Sequence, residues 1–275
     1  MSEFSVVTLN MLDDLSRWDA RRDVLLTQMN AIRPDIVVLQ EVVDHKGEST
    51  AQWLADQLNQ QDEPPDPGYQ VFPMLVDDEK TQQENLAILS RWPIKRNENV
   101  PLDDENHLAQ FVSVRVDDFT IFLVNLLFYH EYEKGSDIEP DQVEQLLDFL
   151  DGQSYKPPVL ICGDFGCTPD SPPIQTMLKY FDSAYRQVHG QEPDYTYPTP
   201  LPQSWQNQLV GWLESAFSNH QKNDEVLRVT LDYIFADPRF TIQDCQLVFN
   251  QPSENNEDIY ASDHFGLYAQ LKAVR

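Results

Sequence analysis

The chain of 275 residues carries 41% apolar side chains, 24% charged side chains and a formal net charge of −27. This length and apolar content suffice for a buried core, which excludes wholesale disorder. The negative charge disfavours binding to long duplex nucleic acid and to anionic lipid surfaces, because both kinds of binding depend on clustered Lys and Arg.

Cysteine usage and the absence of long apolar runs indicate a soluble protein of a reducing compartment. The three cysteines, Cys162, Cys167 and Cys245, are few and odd in number, which argues against a disulfide framework. The first residues lack the basic and apolar stretches of a signal peptide. No segment approaches the roughly 20 apolar residues of a spanning helix. We therefore expect a cytoplasmic protein with no membrane span.

The first half of the chain alternates strand and helix patterns. An apolar, β-branched run predicts a buried strand over residues 4–9. Apolar residues at helical spacing predict a helix over residues 18–32, which Pro34 ends. A second buried strand is predicted over residues 36–39, and a helix follows near residues 51–58.

The same alternation continues to the end of the chain. The Pro- and acid-rich stretch 61–68 is predicted to be a loop within one domain that spans residues 1–275. Further strands are predicted over residues 85–90, 111–116, 121–127, 159–162, 231–235 and 265–271, with a helix over residues 142–150. Many strands with interspersed helices predict a layered α/β fold, with sheets inside and helices outside.

Polar side chains stand at or just past the predicted strand ends. Asn10, Glu41 and Asp164 each follow a strand, and Asp263-His264 precede the last strand. A rigid sheet can aim such residues into one cleft. Converging carboxylates suit a hard divalent cation such as Mg²⁺ or Mn²⁺. The alternative for each residue alone is an ordinary turn residue or a solvated carboxylate.

Six segments at these strand ends share a recognisable order. They are Thr8-Leu9-Asn10, residues 35–42 (DIVVLQEV), residues 85–91 (NLAILSR), Gly163-Asp164-Phe165, residues 231–235 (LDYIF) and Ser262-Asp263-His264. Together they resemble the endonuclease/exonuclease/phosphatase superfamily, the deoxyribonuclease I-like group, over nearly the whole chain. The resemblance implies a four-layer α/β sandwich, with two facing mixed β-sheets flanked by helices and a cleft at one end.

The resemblance also implies which residues serve a metal ion. Glu41 would be the main ligand of Mg²⁺ or Mn²⁺, and Asn10 and Asp263 would support the metal and its water. Asp164 would orient or deprotonate the attacking water. This chemistry is coherent, because phosphoester hydrolysis needs a positioned water, a base and positive groups at the phosphoryl oxygens. A metal ion supplies positive charge without a basic protein surface.

A second pair of residues is implied to act on the phosphate. Asp232 would fix His264, and His264 would contact the scissile phosphate. An Asp–His pair raises the basicity of the imidazole and fixes its tautomer. The catalytic set that the resemblance implies is therefore Asp164, Asp232 and His264.

Two positions depart from the family pattern. In Asn125-Leu126-Leu127-Phe128, Leu127 stands where the family has His or Tyr, and in the run 163–166 Gly166 stands where the family has Asn. Both departures remove a hydrogen-bond donor from the implied phosphate site. Asn125, Tyr129 and His130 are the candidate substrate-binding residues that remain. The alternative is that Tyr129 packs and His130 lies on the surface.

These observations predict a divalent-metal-dependent phosphoesterase with reduced activity on a small or non-duplex substrate. A phosphorylated small molecule, a nucleotide, a lipid head group or a short nucleic-acid end fits the net charge. The alternative is a non-catalytic interaction or ligand-binding protein on the same fold. An aromatic stripe at helical spacing over residues 203–219 includes Trp205 and Trp212. It is predicted to pack on the domain, and the alternative is a docking site for a protein partner.

Overall fold

The computed structural model describes residues 2–45, 47–74, 85–102, 108–128, 140–200 and 228–273. In these ranges the strands form two six-stranded sheets and one two-stranded ribbon. The two large sheets face each other across a shared core, and helices pack on their outer faces. Within the described ranges, none of the helices combines the length and the apolar character that crossing a bilayer would require.

The elements are numbered in chain order. The strands are β1 (Ser2–Asn10), β2 (Ile36–Val42), β3 (Asp44–His45), β4 (Glu48–Ser49), β5 (Gln70–Pro73), β6 (Asn85–Ser90), β7 (Ile94–Pro101), β8 (Leu108–Val116), β9 (Phe119–Leu127), β10 (Val159–Asp164), β11 (Asp182–Ser183), β12 (Asp232–Ala236), β13 (Phe240–Val248) and β14 (Gly266–Ala273). The helices are α1 (Trp18–Ile32), α2 (Thr50–Asn59), α3 (Pro140–Asp151), α4 (Pro172–Met177) and α5 (Ala184–His189).

The first sheet has the strand order β13-β14-β1-β2-β6-β5. Strands β1 and β2 are parallel, and the other neighbours are antiparallel. Parallel neighbours need a crossover connection, which α1 provides. Because β1 and β2 run in the same direction, their last residues lie at the same edge of the sheet, with Asn10 opposite Gln40.

The second sheet has the strand order β11-β12-β10-β9-β8-β7. Strands β9 and β10 are parallel, and β10 pairs with β12 in the antiparallel direction. This register places Asp164, the last residue of β10, between Leu127 on one neighbouring strand and Asp232 on the other. Polar residues at the ends of both sheets therefore meet at one edge of the sandwich.

Alternating side chains explain why the central strands are apolar on both faces. Val6 contacts the core between the sheets, and Val7 contacts the core beneath the helices. The core between the sheets includes Val6, Ile36, Ile88, Val112, Leu123 and Leu160. One outer core joins Val7, Val37 and Leu39 to Trp18, Leu25 and Leu54, and the other joins Phe111, Val124 and Ile161 to Val143, Leu146 and Ile174. These cores create four layers and confirm the predicted sandwich of two mixed sheets between helices.

Helix α1 illustrates how local sequence sets an element boundary. It ends at Ile32, and the next residue, Arg33, caps it: Arg33 has a left-handed backbone, with a φ of 43°, and its N–H donates to the carbonyl of Met29 at 2.9 Å. Pro34 follows and cannot continue the helix. The buried face of α1 carries Trp18 and Leu25, together with one charged residue, Arg21.

The sequence predicted the interior strands of both sheets and missed all four edge strands. The edge strands are β13 and β5 in the first sheet, and β11 and β7 in the second. Two of them contain only two and four residues, and β7 has the polar sequence IKRNENVP. Edge strands are commonly short and charged, since an exposed edge of apolar residues would pair with other chains. They consequently carry little of the apolar signal on which a strand prediction depends.

Candidate active site

Asn10 links the two sheets at the cleft edge. Its Nδ2 donates to Glu41 Oε1 at 2.8 Å and to Asp164 Oδ2 at 3.1 Å. Its Oδ1 accepts the N–H of Leu12 at 3.0 Å, which closes a tight turn after β1. Asn10 is fully buried. It therefore brings together the two carboxylates to which the sequence assigned the metal and the attacking water.

Glu41 is turned toward the cleft by an irregularity in β2. The pairing of β2 with β6 shifts register between Leu39 and Val42, and Glu41 has a φ of 52°. A bulge of this kind re-aims a side chain, and a left-handed backbone at a residue other than glycine costs roughly 1 kcal/mol or more. The N–H of Asp13 donates to Glu41 Oε2 at 3.0 Å. The surrounding structure thus holds Glu41 in a conformation that the residue alone would not favour.

Asp164 is buried and has hydrogen bonds to both oxygens. Its Oδ1 accepts the N–H of Gly166 at 2.8 Å, and its Oδ2 faces Asn10. The preceding residue, Gly163, has a φ of 151°, and a Cβ there would collide with the carbonyl oxygen of Leu126. Only glycine allows this close approach of β10 to β9. The Gly-Asp pair of the motif therefore has a packing reason as well as a chemical one.

His264 and Asp232 form a buried pair beside Asp164. His264 Nδ1 lies 2.9 Å from Asp232 Oδ2, and His264 Nε2 lies 3.8 Å from Asp164 Oδ2. Burial alone would lower the pKa of His264, but the carboxylates of Asp232 and Asp164 outweigh it and hold the pKa well above the ordinary value. The two carboxylates therefore favour the protonated form of the imidazole. Burial raises the pKa of the Asp164 carboxyl, and the positive His264 opposes that rise.

Replacing Asp232 by asparagine is expected to lower the pKa of His264. Asparagine keeps the size of the side chain but removes the more effective of the two charges that outweigh burial, so the protonated imidazole becomes less favoured. NMR titration of the imidazole ring measures this shift directly. The matched control is Asp56→Asn on α2, which should leave the titration of His264 where it is. A titration midpoint unchanged by Asp232→Asn would contradict the assigned cause.

A loop before β12 fixes both members of the His–Asp pair. The hydroxyl of Thr196 accepts the N–H groups of Leu231 and Asp232 at 3.0 and 3.2 Å, and its carbonyl accepts the N–H of Phe265 at 2.8 Å. The ring of Tyr197 lies 4.5 Å from that of His264, centroid to centroid. The sequence analysis gave Thr196 no role.

Asp263 lies at the half-exposed side of the cleft. Its Oδ1 accepts the hydroxyl hydrogen of Ser262 at 3.2 Å, and its carbonyl accepts the N–H of Thr199 at 2.7 Å. Arg21 was not singled out from the sequence, yet it is buried between this segment and the loop after β1. The sequence did contain an indication of this role, because Arg21 is a charged residue on the apolar face of α1.

Asn125 does not join the other predicted residues. It is fully buried between the sheets, where its Oδ1 accepts Gln40 Nε2 at 2.8 Å and its Nδ2 donates to the carbonyls of Leu39 and Ala87 at 2.9 and 3.2 Å. Both ends of the amide are thus engaged by the sheets, which gives Asn125 a structural place instead of a substrate contact. Tyr129, His130 and the stripe with Trp205 and Trp212 lie outside the described residues.

The two departures from the family pattern lie directly beside Asp164. Leu127 is half-buried and is its register neighbour on β9, so both side chains stand on the same face. Gly166 has a φ of 55°, as a turn glycine would. The cleft therefore has an apolar side chain at Leu127 and no side chain at Gly166.

Two groups of side chains at this edge have the chemistry of metal ligands. Among the described residues, ligand atoms of Asp164, Asp232 and His264 all lie within 4.8 Å of one another. The other group is the pair of carboxylates Glu41 and Asp263, which both lie near Arg21, with Asn10 turning its Nδ2 toward Glu41. Carboxylate oxygens suit hard cations. In the first group, His264 Nδ1 is already bonded to Asp232.

The sequence matches the model of the Endonuclease/Exonuclease/phosphatase family over residues 7–264. The chain therefore belongs to this family, as the six segments predicted. Members of the family are hydrolases that generally use divalent metals. No curated protein matches this sequence.

Solved structures share the fold at low sequence identity. An endonuclease/exonuclease/phosphatase from Bacteroides vulgatus has a TM-score of 0.70 and 18% identity, with 100% of both chains covered. D. rerio TDP2 complexed with single strand DNA product has a TM-score of 0.66 and 17% identity, covering 99% of this chain and 100% of that one. The human Nocturnin catalytic domain with bound sulfate anion has a TM-score of 0.64 and 20% identity, covering 99% and 94%. These likenesses establish the fold.

Proposed function

We propose that this protein is a divalent-metal-dependent phosphoesterase that hydrolyses a phosphodiester or phosphomonoester. The observation that carries the proposal is the continuous chain of contacts from Glu41 through Asn10 and Asp164 to the His264–Asp232 pair. In this proposal Glu41 is a metal ligand, Asp164 is a buried base and His264 is a charged imidazole, all at one edge of the sandwich. Such a combination supplies what hydrolysis of a phosphoester needs.

Each residue has a role that follows from its surroundings. Glu41 would hold Mg²⁺ or Mn²⁺, with Asp263 and Asn10 beside it, and the ion would stabilise negative charge on the phosphoryl oxygens. Asp164 would accept a proton from the attacking water. As this proton transfers, the water oxygen would bond to phosphorus and the bond from phosphorus to the leaving oxygen would break. The protonated His264, held by Asp232, would donate a hydrogen bond to a phosphoryl oxygen.

We propose a small or non-duplex substrate. A net charge of −27 opposes the tracking of an extended phosphate backbone, so a phosphorylated small molecule, a nucleotide, a lipid head group or a short nucleic-acid end is favoured. The single-strand DNA product bound to D. rerio TDP2 is consistent with this class. The three cysteines are free and buried, which fits a reducing compartment such as the cytoplasm.

Glu41→Ala is expected to abolish specific binding of Mn²⁺ and the hydrolysis that depends on it. Alanine removes the carboxylate that would hold the ion, together with the hydrogen bonds that Glu41 accepts from Asn10 Nδ2 and from the N–H of Asp13. Calorimetric titration with Mn²⁺ and the rate of bis-p-nitrophenyl phosphate hydrolysis measure the two effects. The matched control is Glu144→Ala on the outer side of α3. Equal Mn²⁺ binding by wild type and Glu41→Ala would mean that the ion only coats the acidic surface.

The second candidate function is a non-catalytic interaction or ligand-binding protein. Leu127 beside Asp164 and the missing side chain at Gly166 favour it. A family member that no longer catalyses a reaction would first lose the side chains that donate hydrogen bonds to the phosphate. This candidate expects no metal-dependent turnover of any phosphoester. It also expects a protein partner that loses affinity when Trp205 and Trp212 are changed to alanine.

A further inference from the structure

Arg21 is a buried arginine whose guanidinium donates four hydrogen bonds to main-chain carbonyls. It projects from α1 and is 5% exposed. Its Nη1 donates to the carbonyls of Met11 and Ala261 at 2.8 and 3.0 Å. Its Nη2 donates to the carbonyls of Leu12 and Asp14 at 3.2 and 2.8 Å. One guanidinium thus joins the loop after β1 to the segment before β14.

Both tethered segments carry parts of the proposed metal site. In the first loop, the N–H of Leu12 bonds Asn10 Oδ1, and the N–H of Asp13 bonds Glu41 Oε2. In the second segment, Ala261 lies two residues before Asp263. The position of Glu41 relative to Asp263 therefore depends on two loops that meet at the same guanidinium.

The hydrogen bonds of Arg21 favour metal binding by fixing the two loops, whereas its positive charge disfavours metal binding. The carboxylates of Asp263, Asp14 and Glu41 are near enough to raise its pKa, although burial, the larger effect, lowers it overall. A positive charge this close to the carboxylates repels an incoming cation. Removing Arg21 would strengthen metal binding if charge alone mattered and weaken it if geometry mattered more.

We propose that Arg21 is a positioning residue that sets the spacing of Glu41 and Asp263, and that this effect outweighs its repulsion of the metal ion. The inference rests on the proposed metal-dependent function. Lysine cannot replace Arg21 in this role, because a single ammonium does not have the planar fork that reaches four carbonyls in two loops. Charge and geometry can therefore be separated by substitution.

The test compares Arg21→Lys and Arg21→Met with the matched control Arg22→Met. Arg22 is the next residue of α1, is partly exposed and pairs with Asp19 at 3.0 Å. Calorimetric titration with Mn²⁺ should show binding about 10-fold weaker or more for both Arg21 variants, as for other residues that orient metal ligands. Arg22→Met should stay within about twofold of the wild type, because an exposed charge is screened.

Three results would overturn the proposal. The first is tighter Mn²⁺ binding by Arg21→Met than by the wild type, which would make charge repulsion the dominant effect. The second is Mn²⁺ binding by Arg21→Lys equal to that of the wild type, which would mean that a positive charge is sufficient. A loss of thermal stability with unchanged Mn²⁺ affinity in the folded variants would reduce Arg21 to a purely structural residue. If Arg21→Met does not fold, Arg21→Lys decides.

Amide hydrogen exchange without metal separates this inference from the proposed function. In the wild type, the amides of Leu12 and Asp13 should be protected, and Arg21→Lys should make them exchange faster while Arg22→Met does not. A wild type that binds no Mn²⁺ would contradict the proposed function, and these exchange rates would still decide the role of Arg21. Unprotected amides in the wild type, or equal rates in Arg21→Lys, would contradict the positioning role.

Discussion

Asp164→Asn is expected to lower the metal-dependent hydrolysis of bis-p-nitrophenyl phosphate by about 10²–10⁴-fold, the usual contribution of a positioned general base. Asparagine has the same shape but cannot take the proton of the attacking water. Asp164 is 6% exposed and accepts hydrogen bonds from Gly166 and Asn10. A carboxylate ion from solution therefore cannot replace it as the base. Steady-state rates at saturating Mn²⁺ measure the loss.

The structural cost of this substitution must be measured separately. Both oxygens of Asp164 accept hydrogen bonds, so the new amide nitrogen would face either Asn10 Nδ2 or the N–H of Gly166. One lost buried hydrogen bond costs about 1–3 kcal/mol of folding free energy. Thermal unfolding reports that cost, and Asp56→Asn is the matched control for both readouts. A folded variant that retains more than a tenth of the wild-type rate would contradict the role of base.

The fold could be predicted from the sequence because its interior strands are buried on both faces. Residues 36–39 and 159–162 are continuous apolar runs, and the structure places them in the middle of the two sheets. The edge strand β13 shows the limit, since its burial alternates with solvent exposure and its sequence contains Gln and Asp. An amphipathic edge strand such as β13 is stabilised by pairing with its neighbour, and a single sequence does not show that pairing.

The sequence predicted which polar side chains lie together at the candidate site, but it did not predict the side chains that bond to main-chain groups there. Asn10, Glu41 and Asp164 meet at the strand ends as expected. Arg21 and Thr196 bond to backbone groups of distant segments, and a backbone group leaves no mark in the sequence. Only the tertiary fold shows which loops these two residues hold.

Asn125 shows a related limit. It lies near the end of an apolar strand, and the segment that carries the family likeness includes it. The register of β9 against β10 places it opposite Cys162, two residues before the edge, so its amide lies between the sheets. A difference of two residues along a strand, about 7 Å, separates a structural amide from the cleft.

Joint replacement Leu127→His and Gly166→Asn is expected to raise metal-dependent hydrolysis by up to about 100-fold. The two positions flank Asp164, one across the parallel strand pair and the other through its N–H bond to Asp164 Oδ1. Each replacement adds a hydrogen-bond donor, and one donor aimed at a transition-state oxygen contributes about 3 kcal/mol when its surroundings hold it in place. The surroundings have not adapted to the new side chains, so the full contribution of two donors is not expected.

The two replacements differ in their structural cost, so each is also made alone. Gly166 has a φ of 55°, a conformation that asparagine tolerates better than most residues. Leu127 is half-buried, and an imidazole there loses stability if it finds no partner. Thermal unfolding and Mn²⁺ titration establish that each variant is folded and binds the ion, and Asp164→Asn in the double-variant background should remove any gain. If the double variant folds, binds Mn²⁺ and still hydrolyses no phosphoester, the cleft is not arranged for phosphoryl chemistry, and a binding function becomes the better account of the fold.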